Sequence, residues 1–287
     1  MKKTILSYLI SIALVGLLGC GKSSDKPADQ GAAGNTITVK GSDTMVQLAQ
    51  RWAEAFMGAD KEVSVQVTGG GSGTGVSALI NGTTDICMSS RPMKDKEKEQ
   101  MLAKYKSAGV QVTVARDGLT VYLHGSNPVK ELSMEQLKKI YLGQITNWKE
   151  VGGKDATILL YSRENNSGTY VFFKEHVLEN EDFAQNAQTL PGTAAVVNAI
   201  TKDPNGIGYG GAGYAKGIKE CAIKKDDASP ALLPLKENID NNSYALSRGL
   251  YFYLKGVPEG KIKSFVDWIL SPAGQEVVTK EGFFTVR

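Results

Sequence analysis

The chain has 287 residues, of which 41% are hydrophobic and 22% are charged, and its formal net charge is +3. This is an ordinary globular composition, and the length suits two lobes better than one small core. Lys2 and Lys3 at the extreme N-terminus supply two of the three net charges. The near-neutral remainder excludes a typical nucleic-acid binder, which would concentrate lysine and arginine on one face.

The N-terminus has the pattern of an export signal. After Lys2 and Lys3, residues 5–18 are almost wholly apolar. This run is too short for a comfortable transmembrane helix but fits the apolar region of a signal peptide. It ends in Leu-Leu-Gly-Cys, which resembles the lipobox at which bacterial lipoproteins are cleaved and acylated. We therefore predict a signal peptide over residues 1–19 and lipidation at Cys20. An ordinary signal peptide with an incidental cysteine is the alternative.

Residues 20–35 are rich in glycine, serine, alanine, aspartate and lysine, a composition that predicts a flexible tether. From Thr36 onward, short β-like runs alternate with helix-like runs, which is typical of α/β proteins. Periodicity predicts strands at residues 37–40, 63–67, 85–88, 110–114, 119–123, 157–161, 206–209 and 250–254. It predicts helices at residues 45–57, 76–80, 94–107, 169–178, 193–201, 261–270 and 272–280.

One further helix has good boundary signals. Ser133 and Gln136 have the spacing of a capping box, and Leu132 and Leu137 have the spacing of a hydrophobic staple. Gly143 is suited to the position after the helix, where a left-handed backbone is common. These signals predict a helix between Ser133 and Gly143.

The cysteines and histidines argue against a metal site. Only Cys87 and Cys221 lie beyond the leader, and we expect them in different lobes as small buried hydrophobic residues without a disulfide. His124 and His176 are the only histidines. A Cys/His metal cluster is therefore not available, and we predict no metal and no cofactor.

Three strand-to-helix junctions share one design of glycine, serine and threonine: residues 41–45, 69–75 and 163–169. The first turn of a helix carries free backbone N–H groups and a partial positive charge, which suits an anion. Glycine allows close approach of the backbone, and hydroxyls add donors. Each loop by itself is better explained as a helix cap or a turn. Together they predict a site for a tetrahedral oxyanion.

Two arginines are candidate partners for such an anion, because a guanidinium can donate two parallel hydrogen bonds to phosphate oxygens. Arg163 begins the third loop, and Arg91 follows the short strand at residues 85–88. The alternative for each arginine is a surface charge. The loop around Arg163 makes that alternative weaker there than at Arg91.

These segments resemble the phosphate-binding proteins of bacterial ABC phosphate transporters. The resemblance covers nearly the whole chain beyond the leader, and its motifs are residues 41–45, 71–75, 85–86, 89–92, 163–169, 206–209, 214–215 and 251–253. It implies an α/β fold of the two-lobed periplasmic-binding-protein type II, with two hinge-strand crossings near residues 116–117 and 247–248. Lobe 1 would then contain residues 36–115 and 247–287, and lobe 2 would contain residues 116–246.

The resemblance also implies a ligand set. The positions that match the family's phosphate contacts are Thr44, the backbone N–H of Met45, Ser72, Ser90, Arg91, Arg163, Ser167, Gly168 and Thr169. Some members carry an aspartate where this chain has Ser90, and that aspartate accepts the proton of hydrogen phosphate and excludes sulfate. Ser90 followed by Arg91 leaves the acceptor unassigned. Asp43 is a candidate, and its alternative role is to cap a helix.

The implied function is non-enzymatic. An extracytoplasmic monomer would bind inorganic phosphate in a closed cleft and deliver it to an ABC permease and ATPase complex, without contact to nucleic acid. A lipid anchor would hold it to a cell membrane, at the periplasmic face or the outer surface. The alternatives are a binding protein for sulfate or molybdate, or a phosphate-responsive surface protein without a transport role.

Two enzyme classes are less well supported. Residues 16–23 match a P-loop and residues 208–213 match a dinucleotide-binding pattern, but neither has the required flanking strand and helix. A hydrolase would need a nucleophile such as Ser72 with an imidazole base. The glycines around Ser72 do not have the Gly-x-Ser-x-Gly spacing, since Thr74 stands at the last position.

Overall fold

The computed structural model describes residues 34–286. The predicted signal peptide, the lipidation at Cys20 and the tether up to residue 33 lie outside the described residues. Asn35 was expected in the tether, but its carbonyl accepts a hydrogen bond from the Ser64 N–H at 3.0 Å, so the fold begins slightly earlier than predicted. Across residues 34–286, no helix is both long and apolar enough to cross a membrane.

Strands and helices alternate along the chain. The first elements are β1 Thr36–Gly41, α1 Val46–Ala59, β2 Ser64–Thr68, α2 Ser72–Asn81, β3 Ile86–Ser89, α3 Asp95–Tyr105 and β4 Val110–Leu123. They are followed by β5 Glu131–Ser133, α4 Met134–Tyr141, β6 Leu159–Arg163, α5 Gly168–His176, β7 Gln188–Leu190, α6 Gly192–Lys202, β8 Gly206–Gly211, β9 Lys219–Lys224 and α7 Lys236–Asp240. The last elements are β10 Ser247–Leu254, α8 Gly260–Leu270 and α9 Pro272–Lys280.

The apolar side chains form two large cores. One contains residues from 37–115 and 250–283, with Trp52 and Phe252 in edge-to-face contact at 5.9 Å between ring centroids. The other contains residues from 119–246, where Phe173 and Tyr209 stack at 4.0 Å. Separate cores of this kind give each lobe its own stability and leave a cleft between them. The exact lobe boundaries stay a prediction.

Strands β4 and β10 connect the two cores. Residues 110–118 of β4 pair antiparallel with β10, and residues 119–123 pair with β8 in the second lobe. The sequence predicts two separate strands here; the structure has one strand of 14 residues, because pairing with β10 bridges the polar interruption. In this ribbon Asp117 lies opposite Arg248. The two predicted crossings therefore lie side by side.

The C-terminal segment adds a third connection that the sequence analysis did not include. Arg116 N–H donates to the Phe284 carbonyl at 2.7 Å, and Phe284 N–H donates back to the Arg116 carbonyl at 3.0 Å. Phe283 lies in the first core, whereas Phe284 packs against the second. Neighbouring aromatic residues at this point therefore hold the two lobes together beside the hinge.

Several local predictions are confirmed. Gln136 N–H donates to the Ser133 hydroxyl at 3.1 Å, and Ser133 N–H donates to the Gln136 side chain at 2.9 Å, which completes the capping box of α4. Gly143 has the expected left-handed backbone, with φ at +74°. Cys87 and Cys221 are both buried and free. Burial raises the pKa of the Cys221 thiol to about 12, so this thiol is protonated at neutral pH.

Candidate functional site

The three glycine-rich loops meet at the contact between the two lobes. The hydroxyl oxygens of Thr44 in the first loop and Thr169 in the third lie 2.8 Å apart. Gly73 N–H, in the second loop, donates to the Asn166 carbonyl of the third loop at 2.9 Å. The third loop is about a hundred residues from the other two in the chain, and the fold brings all three together because they follow β1, β2 and β6 at the strand ends.

A cluster of buried serine hydroxyls forms the lobe 1 side of the site. Ser42 donates to the Ser90 hydroxyl at 2.9 Å, and Ser90 N–H donates to the Ser72 hydroxyl at 3.1 Å. The oxygens of Ser72 and Ser90 are 3.5 Å apart. Since either hydroxyl can donate to the other, the Ser72–Ser90 pair uses one proton internally and keeps one available to donate. Ser42 was not among the predicted site residues.

Gly168 brings the start of α5 directly against this cluster. A Cβ atom at this position would lie 2.3 Å from the Ser72 hydroxyl oxygen and 2.7 Å from that of Ser90. Only glycine permits an approach this close. The first turn of α5, with its partial positive charge, therefore faces the serine hydroxyls of the opposite lobe.

Ser167 has the capping role that the sequence left open, and its ligand role stays a prediction. It caps α5, because its hydroxyl oxygen accepts hydrogen bonds from Thr169 N–H at 3.2 Å and Tyr170 N–H at 3.3 Å. With both lone pairs engaged, the hydroxyl cannot accept a further hydrogen bond and can act toward a ligand only as a donor. A helix cap can thus also be a hydrogen-bond donor to a ligand.

Arg163 is the most buried arginine of the site, with 1% exposure. Its Nη2 donates to Asp43 Oδ2 and its Nη1 donates to the Thr193 hydroxyl, both at 2.8 Å. Its Nε has no partner within residues 34–286. Burial lowers the pKa of the guanidinium, and the Asp43 carboxylate opposes that shift. A buried donor without an acceptor is costly, so this N–H indicates a place for an anion.

Asp43 does not cap α1, which corrects one of its two expected roles. The helix has no side-chain cap. Instead, Asp43 Oδ1 accepts from Gly70 N–H at 2.8 Å, and Oδ2 accepts from Arg163. The carboxylate thereby joins the first loop to the second loop and to the third.

The Met45 amide and the two terminal nitrogens of Arg91 already have protein partners. Met45 N–H donates to the Ser42 carbonyl at 3.0 Å, so this amide already has an acceptor. Arg91 Nη1 donates to Glu97 Oε2 at 2.8 Å, and Nη2 donates to Oε1 at 2.7 Å. The two terminal nitrogens of Arg91, which could donate to phosphate oxygens, are thus paired with a carboxylate. The pair joins β3 to α3. Arg91 Nε is buried and has no partner within residues 34–286, so the ligand role of Arg91 stays a prediction.

The Arg91–Glu97 pair predicts a pH-dependent contribution to stability. Burial raises the pKa of Glu97, but the hydrogen bonds from Arg91 and from Lys94 N–H outweigh it, so the pKa lies below its ordinary 4.5. Such a carboxylate stabilises the fold above pH 4.5 and loses this effect as pH falls through the lower folded value. We expect Glu97→Gln to cost about 2 kcal/mol of unfolding free energy at pH 7.

Denaturant unfolding at pH 7 and at pH 3 measures this cost. The difference from the unmodified protein should shrink at pH 3. Glu99→Gln, on the exposed face of the same helix, is the matched control and should leave the unfolding free energy unchanged at both pH values. A Glu97→Gln protein as stable as the control at pH 7 would show that the pair is not stabilising.

The structure also contains a buried ion pair that sequence reasoning missed. Arg248 donates from Nε and Nη2 to Asp117 Oδ2 at 2.9 and 2.7 Å. Its Nη1 donates to the Thr169 hydroxyl at 3.1 Å. Both residues were placed at the hinge crossings but given no role in the site. An arginine and an aspartate inside hinge strands that are otherwise mostly apolar were the available signal.

Two α/β lobes, paired hinge strands and a donor-lined cleft define a two-lobed binding protein of the periplasmic-binding-protein fold. A family model described as a PBP superfamily domain matches residues 26–273. The phosphate-binding protein PstS of Pseudomonas aeruginosa is 34% identical to this chain, and the match covers 88% of this chain and 83% of that protein. PstS of Staphylococcus saprophyticus is also 34% identical, and the match covers 96% of this chain and 88% of that protein. The chain belongs to the PstS family of phosphate-binding proteins.

Solved structures agree. A Clostridium perfringens protein, described as a phosphate ABC transporter substrate-binding protein and solved with bound phosphate, is 34% identical with a TM-score of 0.79, over 88% of this chain and 100% of that one. An ABC-type phosphate transport receptor from Vibrio cholerae is 29% identical with a TM-score of 0.70, and the match covers 87% of this chain and 99% of that one.

Proposed function

We propose that this protein binds inorganic phosphate between its lobes and delivers it to an ABC importer. The observation that carries the proposal is the buried Arg163 Nε, a charged donor with no acceptor in the described part of the chain. It lies in a loop of the same design as the two that supply Thr44 and Ser72. Membership of the PstS family supports phosphate as the anion.

The chemistry of the cluster fits a tetrahedral oxyanion. An anion removed from water needs a donor for nearly every lone pair, because each unpaired oxygen is costly. The Ser167 hydroxyl, the Ser72–Ser90 pair and the Thr44–Thr169 pair each have one proton available. Arg163 adds a charged donor from the second lobe. Phosphate would satisfy them all together, which favours the closed arrangement.

The proposal does not include catalysis. His124 Nδ1 contacts the Ser126 hydroxyl at 2.8 Å, and His176 Nδ1 contacts the Phe172 carbonyl at 2.9 Å. Neither imidazole is therefore paired with Ser72 as a nucleophile and base would be. The names of the relatives also describe binding proteins rather than enzymes.

The cellular setting follows from the leader and the family. We propose an extracytoplasmic monomer, anchored to a membrane by a lipid on Cys20, that hands phosphate to a permease and ATPase complex. Radiolabelled palmitate incorporation tests the anchor. Loss of the label in Cys20→Ala, with the protein still exported, is the supporting result; unchanged labelling overturns it.

Calorimetry on ligand-free protein tests phosphate binding. We expect phosphate to bind, and at one hundred times its Kd to add about 2.7 kcal/mol to the unfolding free energy. Sulfate and molybdate, each titrated into the same preparation and then used to compete with phosphate, are the controls. If either displaces phosphate at comparable concentration, the anion assignment fails. If phosphate gives neither heat nor a thermal shift, the binding proposal fails.

A further inference from the structure

The Arg248–Asp117 ion pair connects the hinge with the anion site. The two residues lie opposite each other on β10 and β4, where both strands cross between the lobes. Their side chains are almost fully buried, with exposures of 2% and 0%. A buried ion pair adds little net stability by itself and is more costly than an apolar pair of the same shape. Its position therefore needs another explanation.

The pair is held in one orientation. Asp117 Oδ2 accepts two hydrogen bonds from Arg248, and Oδ1 accepts from Ala212 N–H at 3.1 Å. The guanidinium carbon also lies 5.4 Å from the centre of the Phe172 ring, which favours a cation there. With Nε and Nη2 fixed by Asp117, Nη1 is directed at the Thr169 hydroxyl.

This contact reduces the capacity of the Thr169 hydroxyl to accept hydrogen bonds from other groups. Thr169 has one proton and two lone pairs, and Arg248 occupies one lone pair. Thr169 and Thr44 share one hydrogen bond, in either direction. If Thr169 donates to Thr44, the Thr44 proton is free. If Thr44 donates, both lone pairs of Thr169 are filled and its own proton is free. In each case the pair offers one proton to a third group.

We propose that Arg248 is a positioning residue for phosphate, which holds the Thr44–Thr169 pair as a hydrogen-bond donor toward the anion. The inference rests on the proposed function and deepens it. Asp117 balances the charge of Arg248, so the arginine acts by orientation rather than as a net positive charge. Thr44 and Thr169 come from opposite lobes and meet when the lobes close. The Arg248–Thr169 hydrogen bond therefore connects the hinge strands to the closed, ligand-binding arrangement.

A double-mutant cycle tests this role. Arg248→Lys keeps a cation beside Asp117 but cannot also reach Thr169, since an ammonium lacks the planar fork. We expect it to weaken phosphate binding about tenfold, the effect of one charged hydrogen bond. In a Thr169→Val background the same change should alter the affinity by less than about twofold, because the hydroxyl that Arg248 orients is gone. In a Thr169→Ser background, which retains the hydroxyl, the tenfold effect should return.

Arg116→Lys is the matched control, since Arg116 is the neighbouring hinge arginine and contacts Asn242 at 2.8 Å and the Ile239 carbonyl. Its effect should be small and the same in every background. Equal fold-changes for Arg248→Lys with and without the Thr169 hydroxyl would show a purely structural role and overturn the proposal. If the unmodified protein binds no phosphate, both this inference and the proposed function fail.

Circular dichroism and cooperative unfolding check that Arg248→Lys folds. If it does not, Arg248→Gln combined with Asp117→Asn replaces the ion pair by two amides that can bond each other. The cycle with Thr169→Val is then repeated on this protein. Weakened binding that disappears in the valine background supports the proposal, and additive losses overturn it.

Discussion

Arg163→Met should weaken phosphate binding by at least about a hundredfold. The substitution removes the buried guanidinium Nε–H that lacks a partner within residues 34–286, and it keeps most of the side-chain volume. It also leaves Asp43 without its cation when the lobes are together. Breaking a buried ion pair costs about 3–5 kcal/mol, and each 1.4 kcal/mol is a factor of ten in affinity. Calorimetry on ligand-free protein measures the change.

The cost should fall on the closed form, because Arg163 and Asp43 belong to opposite lobes. The unfolding temperature without phosphate should therefore change little, while the phosphate-induced rise should be lost. Arg51→Met is the matched control: Arg51 is an exposed arginine on α1 that pairs with Glu54, and surface pairs contribute little. Equal phosphate affinities for the two variants would refute the assigned role of Arg163.

Gly168→Ala should weaken phosphate binding about tenfold to a hundredfold. The added methyl would lie 2.3 Å from the Ser72 hydroxyl oxygen and 2.9 Å from its Cβ atom. The hydroxyl can rotate away, but the Cβ atom cannot, so the lobes would have to separate. Overpacking of this kind costs about 1–3 kcal/mol. A phosphate titration monitored by calorimetry gives the loss of affinity.

This clash exists only where the lobes meet. Ligand-free Gly168→Ala should accordingly unfold at the same temperature as the unmodified protein. Gly125→Ala, in the same lobe, places its methyl where no atom lies within 4 Å and should bind phosphate normally. If Gly168→Ala binds as tightly as Gly125→Ala, α5 does not approach the serine cluster in the bound state.

Local signals in the sequence determined much of the fold. The capping box at Ser133 and Gln136, the glycine at residue 143 and the alternation of strands and helices each depend on residues within a few positions of one another. The short strands β5 and β7 were not predicted, because three residues show no periodicity. The start of α2 at Ser72 was also missed, since glycines obscured the helical pattern.

The sequence by itself marked three loops as potential anion ligands, because glycine, serine and threonine before a helix have a local physical meaning. Tertiary structure alone decided which carboxylates pair with the arginines near these loops. Arg91 meets Glu97 six residues away, whereas Arg248 meets Asp117 across 131 residues through the register of two hinge strands.

The proposed phosphate site depends on the buried Nε–H of Arg163, which the described protein atoms leave without an acceptor. The partners of this guanidinium are set by packing between distant strands, and such pairing leaves no periodic trace in the sequence. A crystal structure with phosphate bound elsewhere, and with that N–H paired to protein, would remove the basis of the proposed function.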